Sequence, residues 1–178
     1  MGRLRHRTAP GWTYFVTTKT WQNRALFYVR KIAEIVAEKI ISYRDQGAYL
    51  LHEFVIMPNH VHLILTPADS TSLERAMQFI KGGSSHEIHA RRGHTMRIWQ
   101  PGFHESTVRD SADYASRARY IRLNPVVEKL VERPEQWLFG SASGKYQLDP
   151  IPQGLKPLLQ GRAAVVGAEA PTPSRKIR

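Results

Sequence analysis

Two histidines with one residue between them, His60-Val61-His62, are the first feature of this chain whose type and spacing suit chemistry. They lie in Phe54-Val-Ile-Met-Pro-Asn-His60-Val61-His62-Leu-Ile-Leu-Thr66, which reads as a strand, a tight turn at Pro58-Asn59 and a second strand. Side chains alternate between the faces of a strand, so His60 and His62 share one face while Val61 takes the other. Two imidazoles held together on a rigid element are what a metal site needs. An isolated His-x-His is more often ordinary strand surface, and a buried carboxylate or backbone carbonyl could also partner these rings. The apolar runs on both sides favour a buried pair that requires partners.

A second pair stands in Ser111-Ala-Asp-Tyr114-Ala-Ser-Arg117-Ala-Arg119-Tyr120-Ile121-Arg122-Leu123-Asn124-Pro125. Tyr120 and Asn124 are four apart on a helical pattern and share a face, with Ser116 one turn earlier. Taken alone, a tyrosine late in an amphipathic helix is more often a packing residue than a nucleophile. His86 and His89 are three apart, but nothing nearby completes a metal site.

Composition narrows the partners. The chain has 178 residues, a formal net charge of +11 and no cysteine. That length suits one domain with a real core. The charge points to an anionic partner, nucleic acid ahead of a membrane surface. Without cysteine there are no disulfides, thiolate zinc sites, iron-sulfur clusters or cysteine nucleophiles. No stretch has the length of a membrane span and the N-terminus lacks a signal-peptide core, so a cytoplasmic protein is expected. The segment His86 to Arg97 is strongly basic and runs into Ile98-Trp99-Gln100-Pro101-Gly102-Phe103. Positive charge beside exposed rings can track a phosphate backbone and stack on unpaired bases.

The elements that must position these residues follow from periodicity. Trp12 to Thr18 is rich in aromatic and β-branched residues and predicts a first strand. From about Ala25 to Tyr43, Leu26, Val29, Ile32, Ala33, Val36, Ile40 and Tyr43 recur at helical spacing. Tyr49 to Met57 and the His60 strand must be antiparallel, given their short link. Thr71 or Ser72 can cap a helix with Glu74 in its first turn. That helix contains Gly82-Gly83, read as a kink or packing contact rather than a phosphate contact, and no Walker motif is present. Phe103 to Val108 predicts a fourth strand, and Pro125 a stop for the last helix. Trp137 and Phe139 should anchor a return segment to the core.

The order strand, helix, strand, strand, helix, strand predicts an α+β fold: a ferredoxin-like βαββαβ core with an antiparallel sheet, followed by the Tyr120 helix. The first and third strands are then central. Residues 1–10 read as a basic arm, 11–145 as the catalytic domain and 146–178 as an extension whose last dozen residues should be flexible.

Three segments together, Phe54-Val-Ile-Met-Pro-Asn-His60-Val-His62-Leu-Ile-Leu, Trp99-Gln-Pro-Gly-Phe103 and Tyr120-Ile-Arg-Leu-Asn124-Pro125-Val126, resemble the IS200-like tyrosine transposases of the HUH single-strand nuclease superfamily. Within that family they are most similar to the branch associated with repetitive extragenic palindromes (REP) in bacteria, and the resemblance spans roughly Trp12 to Ser143. It implies that His60 and His62 bind Mg2+ or Mn2+, that Asn124 is the third ligand and that Tyr120 is the nucleophile. Tyr114 lacks the Tyr-Ile-x-x-Asn-Pro context. The residues alone would also permit zinc.

The implied reaction is metal-dependent cleavage and transfer of single-stranded or hairpin DNA through a 5′-phosphotyrosine, leaving a free 3′-hydroxyl. The covalent bond conserves the phosphodiester energy, so a 3′-hydroxyl can reverse the step and join strands without ATP. Arg91, Arg92, Arg97, Arg117, Arg119 and Arg122 are candidates for backbone contacts, and Trp99 or Phe103 for stacking. Monomeric action is favoured over a homodimer, in the cytoplasm and on the nucleoid when DNA is bound. Competing accounts are a non-catalytic protein for structured DNA and a metal-dependent phosphodiesterase that uses water.

Overall fold

Four strands and three helices carry the site in this computed structural model, which describes residues 11–93, 95–152 and 155. The expected arm at 1–10 and the chain's last dozen residues lie outside that set. Strand β1 (Tyr14–Lys19) alternates strictly, with Tyr14, Val16 and Thr18 buried on one face. Strands β2 (Tyr49–Met57) and β3 (His60–Pro67) are joined through Pro58-Asn59. The sheet order is β2-β3-β1-β4, with β4 at His104–Thr107, and every neighbouring pair is antiparallel. The expected ferredoxin-like order therefore holds, and β3 is interior.

The sheet has two unequal faces. Helices α1 (Arg30–Asp45) and α2 (Leu73–Arg92) cover one, where Val16, Phe54, Ile56, Val61, Leu63 and Leu65 meet Ile32, Val36, Ile40, Met77 and Ile80. Helix α3 (Ser111–Val127) lies on the other and closes a smaller cluster of Val55, Met57, Ile64, Tyr114, Ala118 and Ile121. Because β3 alternates, burying Val61 under α1 and α2 turns His60 and His62 towards α3. Among the described residues no helix is long and apolar enough to cross a membrane.

The helices obey their end signals. Ser72 caps α2 by accepting from the Arg75 amide, and Gly93 ends it in a left-handed conformation. Asp110 caps α3 through the Asp113 amide. Gly82-Gly83 causes no break in α2, and it is Gly83 that answers to the packing reading. A methyl there would lie 2.5 Å from the Tyr43 hydroxyl, so its absence lets α2 approach α1.

Three boundaries depart from expectation. Residues Leu26–Tyr28 form a 3-10 turn and α1 begins only at Arg30. The Phe27 amide donates to Pro58 O (2.9 Å), which ties this segment to the β2–β3 turn instead of a helical ladder. Helix α3 runs two residues past Pro125. Its last turn tolerates the proline because the Glu128 amide still reaches Asn124 O (3.0 Å) and the Leu130 amide reaches Pro125 O (2.9 Å). The expected domain boundary at 145 falls inside packed structure. The Asp149 carboxylate accepts from the Leu51 amide and from the Arg44 guanidinium, fastening the chain after 145 to the edge of β2. Upstream of that boundary the expected anchors hold: Trp137 Nε1 donates to Ile56 O, and Phe139 O accepts from the Ile56 amide.

Candidate metal and tyrosine site

Pairing of the two central strands places Thr17 opposite His62 and Lys19 opposite His60. Thr17 Oγ1 lies 2.8 Å from His62 Nδ1, and His60 Nδ1 donates to Asn59 Oδ1 at 2.7 Å. Each ring therefore has one nitrogen held by a neighbour, and Nε2 is the nitrogen left to face outward. This is the arrangement by which outer partners fix the orientation of metal-binding imidazoles. The two ring centroids are 4.7 Å apart.

Both imidazoles are kept neutral. Burial pushes His62 down to about 3, and the neighbouring His60 and the Lys19 ammonium add to that shift. Burial also lowers His60, with Glu128 opposing and Lys19 assisting. A neutral imidazole has the lone pair a metal requires.

Helix α3 brings the second pair. Tyr120 is half exposed, and its hydroxyl lies 3.5 Å from His62 Nε2, at the outer limit of a hydrogen bond. Phe15 stacks on the His62 ring (5.4 Å) and meets Tyr120 edge-on (6.1 Å), so one side chain supports both. One turn on, Asn124 is buried, and its Oδ1 has no hydrogen-bond partner. A buried carbonyl oxygen without a partner is costly, and a cation would supply one. Among the described residues no three His, Cys, Asp or Glu side chains gather into a metal site.

His60, His62, Tyr120 and Asn124 line one cavity of about 480 Å3, together with Thr17, Lys19, Asn23, Asn59 and Glu128. Lys19 is the cation and Glu128 the anion of that lining. Neither was expected from the sequence, and neither was Thr17. Their roles depend on strand register and on the chain beyond Pro125, which no local pattern encodes.

The helix is clamped from beneath. A bulge between Leu51 and Glu53 inserts His52, so that Glu53 pairs with Ile64 and faces α3. The Glu53 carboxylate, 1% exposed, takes both Nε and a terminal nitrogen of Arg122. Arg122 lies two residues from both Tyr120 and Asn124, so this pair sets where α3 sits.

The candidate DNA-contact residues are dispersed. Arg91 pairs with Glu87 and Glu38 on the opposite side of the sheet, and Arg92 is exposed at the end of α2. Arg117 is held by Asp113 and lies over Phe15, while Arg119 is exposed. Arg97 stacks on the Trp21 ring at 4.3 Å. Trp99 corrects an expectation: it is only 6% exposed, packs on Phe27 at 4.9 Å and donates Nε1 to Ser84. It is a core residue in this fold, and Phe103 also packs partly against the core.

Residues 13–124 match the family described as transposase IS200 like, a span that starts one residue before β1 and ends on Asn124. The chain belongs to the IS200-like transposase family. Curated relatives agree with this. The REP-associated tyrosine transposase of Escherichia coli K12 is 26% identical over 155 residues, covering 84% of this chain and 90% of its own. The putative REP-associated tyrosine transposase of Haemophilus influenzae is 25% identical over 154 residues, covering 79% and 85%. A solved REP-associated tyrosine transposase bound to a REP hairpin matches this IS200-like transposase with a TM-score of 0.69 and 24% identity. That alignment covers 98% of this chain and all of the other, and it supports the fold.

Proposed function

We propose that this chain is a REP-associated tyrosine transposase that cuts and transfers single-stranded DNA beside a hairpin, with Tyr120 as covalent nucleophile. One observation carries the reading: the Tyr120 hydroxyl, two neutral imidazoles and the partnerless Asn124 oxygen meet in a single cavity. The E. coli and H. influenzae relatives and the hairpin-bound neighbour support the substrate class.

His60 Nε2, His62 Nε2 and Asn124 Oδ1 fit a divalent cation, magnesium or manganese. When bound there, such an ion would polarise the scissile phosphate and offset charge in the transition state. The chain's own residues do the rest. Tyr120 is held beside the imidazoles by α3 and Phe15. Its oxygen forms a bond to phosphorus as the P–O3′ bond breaks, and its phenolic proton leaves to solvent or a nearby base. The products are a 5′-phosphotyrosine and a 3′-hydroxyl, and attack by a 3′-hydroxyl reverses the step. Lys19, an exposed residue of the cavity lining, supplies a positive charge for the phosphate. The reading takes the protein to act as a monomer. The setting is the bacterial cytoplasm, on chromosomal DNA.

The test is a denaturation-resistant protein–DNA adduct, formed with labelled single-stranded hairpin oligonucleotides carrying REP-like palindromes. It should require manganese or magnesium, vanish with chelator and vanish in Tyr120→Phe. Metal-dependent cutting that survives Tyr120→Phe would transfer the nucleophile's role to water. Binding without any cutting would favour a non-catalytic hairpin protein.

A further inference from the structure

The segment between β1 and α1 is unusually constrained for a connection. Gln22 and Asn23 both adopt left-handed backbone (φ 57° and 54°), a conformation that non-glycine residues seldom take. They are held there by several bonds. Thr20 Oγ1 donates to Arg24 O and Asn59 O, the Trp21 amide donates to Ile98 O, and Arg24 reaches back to Trp21 O and across to Arg97 O. This strained, pinned loop borders the Tyr120 cavity, where Asn23 and Ala25 form part of the wall.

Rings and cations flank those wall residues along the chain. Tyr28 is 70% exposed, although it sits between buried Phe27 and the start of α1. Its amide donates to Ala25 O, so Tyr28 closes the short turn that begins at the wall residue Ala25. Trp21, half-buried, lies under the Arg97 guanidinium. From Lys19 to Lys31 the chain carries Lys19, Arg24, Arg30 and Lys31 and no acidic residue. An exposed ring and a half-buried one set among cations suit nucleobases joined by phosphates.

We infer that Tyr28 and the Trp21–Arg97 pair form the stacking platform for unpaired nucleotides flanking the scissile phosphate. This surface takes the role that the sequence pattern offered to Trp99, which the fold buries. The inference rests on the strand-transfer reading for the position of the DNA, but its test needs no chemistry.

In chelator, the wild-type protein is titrated into fluorescein-labelled oligothymidylate and, separately, into a blunt DNA hairpin with the same label. Tyr28→Ala should weaken oligothymidylate binding roughly tenfold, from the loss of one stacked base, and leave the blunt hairpin unchanged. Tyr28→Phe should retain wild-type affinity, and Trp21→Ala should reproduce the selective loss. The inference is overturned if Tyr28→Ala binds oligothymidylate like the wild type, or if it loses the blunt hairpin by the same factor. Absence of a Tyr120 adduct in the separate cleavage assay would sink the strand-transfer reading while leaving this binding difference intact.

Discussion

Thr17 shows how a site depends on a residue with no chemistry of its own. Its hydroxyl holds His62 Nδ1 and so aims Nε2 into the cavity. Thr17→Val keeps the shape but removes that partner, and removal of such outer hydrogen bonds typically costs about 10–100-fold in metal affinity. Manganese titration followed by electron paramagnetic resonance should show a loss in that range with an unchanged melting temperature. An unchanged affinity would mean that packing against Phe15 alone orients the ring. The shared face of the histidine pair was legible in the sequence because strand alternation needs no partner to be known, and that of Tyr120 and Asn124 because one helical turn separates them, but the roles of the latter two came only from the resemblance to IS200-like transposases. Thr17 and Lys19 were not, since they join the site only through the register of β1 on β3. Trp99 misled for a related reason: composition shows a ring among cations but not which side of the chain is covered.

At the scale of elements, the single-residue bulge at His52 decides where α3 rests. Without it, Glu53 would pair with Leu63 and point beneath α1 and α2 instead of meeting Arg122. The pair is asymmetric, with Glu53 buried and Arg122 54% exposed, so solvent screens part of it. Removing the arginine leaves the carboxylate buried and unpaired. Arg122→Met should therefore destabilise the fold by about 2 kcal/mol, below the range for a fully buried pair, and slow adduct formation at saturating DNA. The double variant Glu53→Leu/Arg122→Met should recover much of the stability while leaving adduct formation impaired, because apolar packing replaces the charge pair but not its aim. Denaturant melts and single-turnover assays separate the two effects. Equal recovery of both would reduce the pair to a stabilising contact. The element order and the antiparallel hairpin were legible from periodicity, whereas the bulge was not. A run such as Leu50-Leu51-His52-Glu53-Phe54 does not say which residue the ladder skips.

Across the whole molecule, the chain after α3 returns along the outer edge of β2 and finishes the fold. Gly140 bridges to Val55, and farther on the Asp149 amide donates to Leu51 O while its carboxylate grips Arg44. This strap protects a strand edge that would otherwise offer unpaired backbone groups, and it ties the C-terminal side of the domain to α1. The Arg44 guanidinium holds the Asp149 carboxyl below the usual carboxylate range. A carboxylate lowered on folding contributes stability above its unfolded value, near pH 4, and that contribution fades as pH falls through the lower folded value. Asp149→Asn should accordingly melt below the wild type at pH 7, and the gap should narrow steadily beneath about pH 4. Arg44 remains charged throughout, so the acid limb belongs to Asp149. A gap that stayed constant with pH would assign the strap's worth to its backbone bonds with Leu51, not to the ion pair. Adduct yield at neutral pH should change little in this variant, because Asp149 and its partners Arg44 and Leu51 lie at the β2 edge and do not line the Tyr120 cavity.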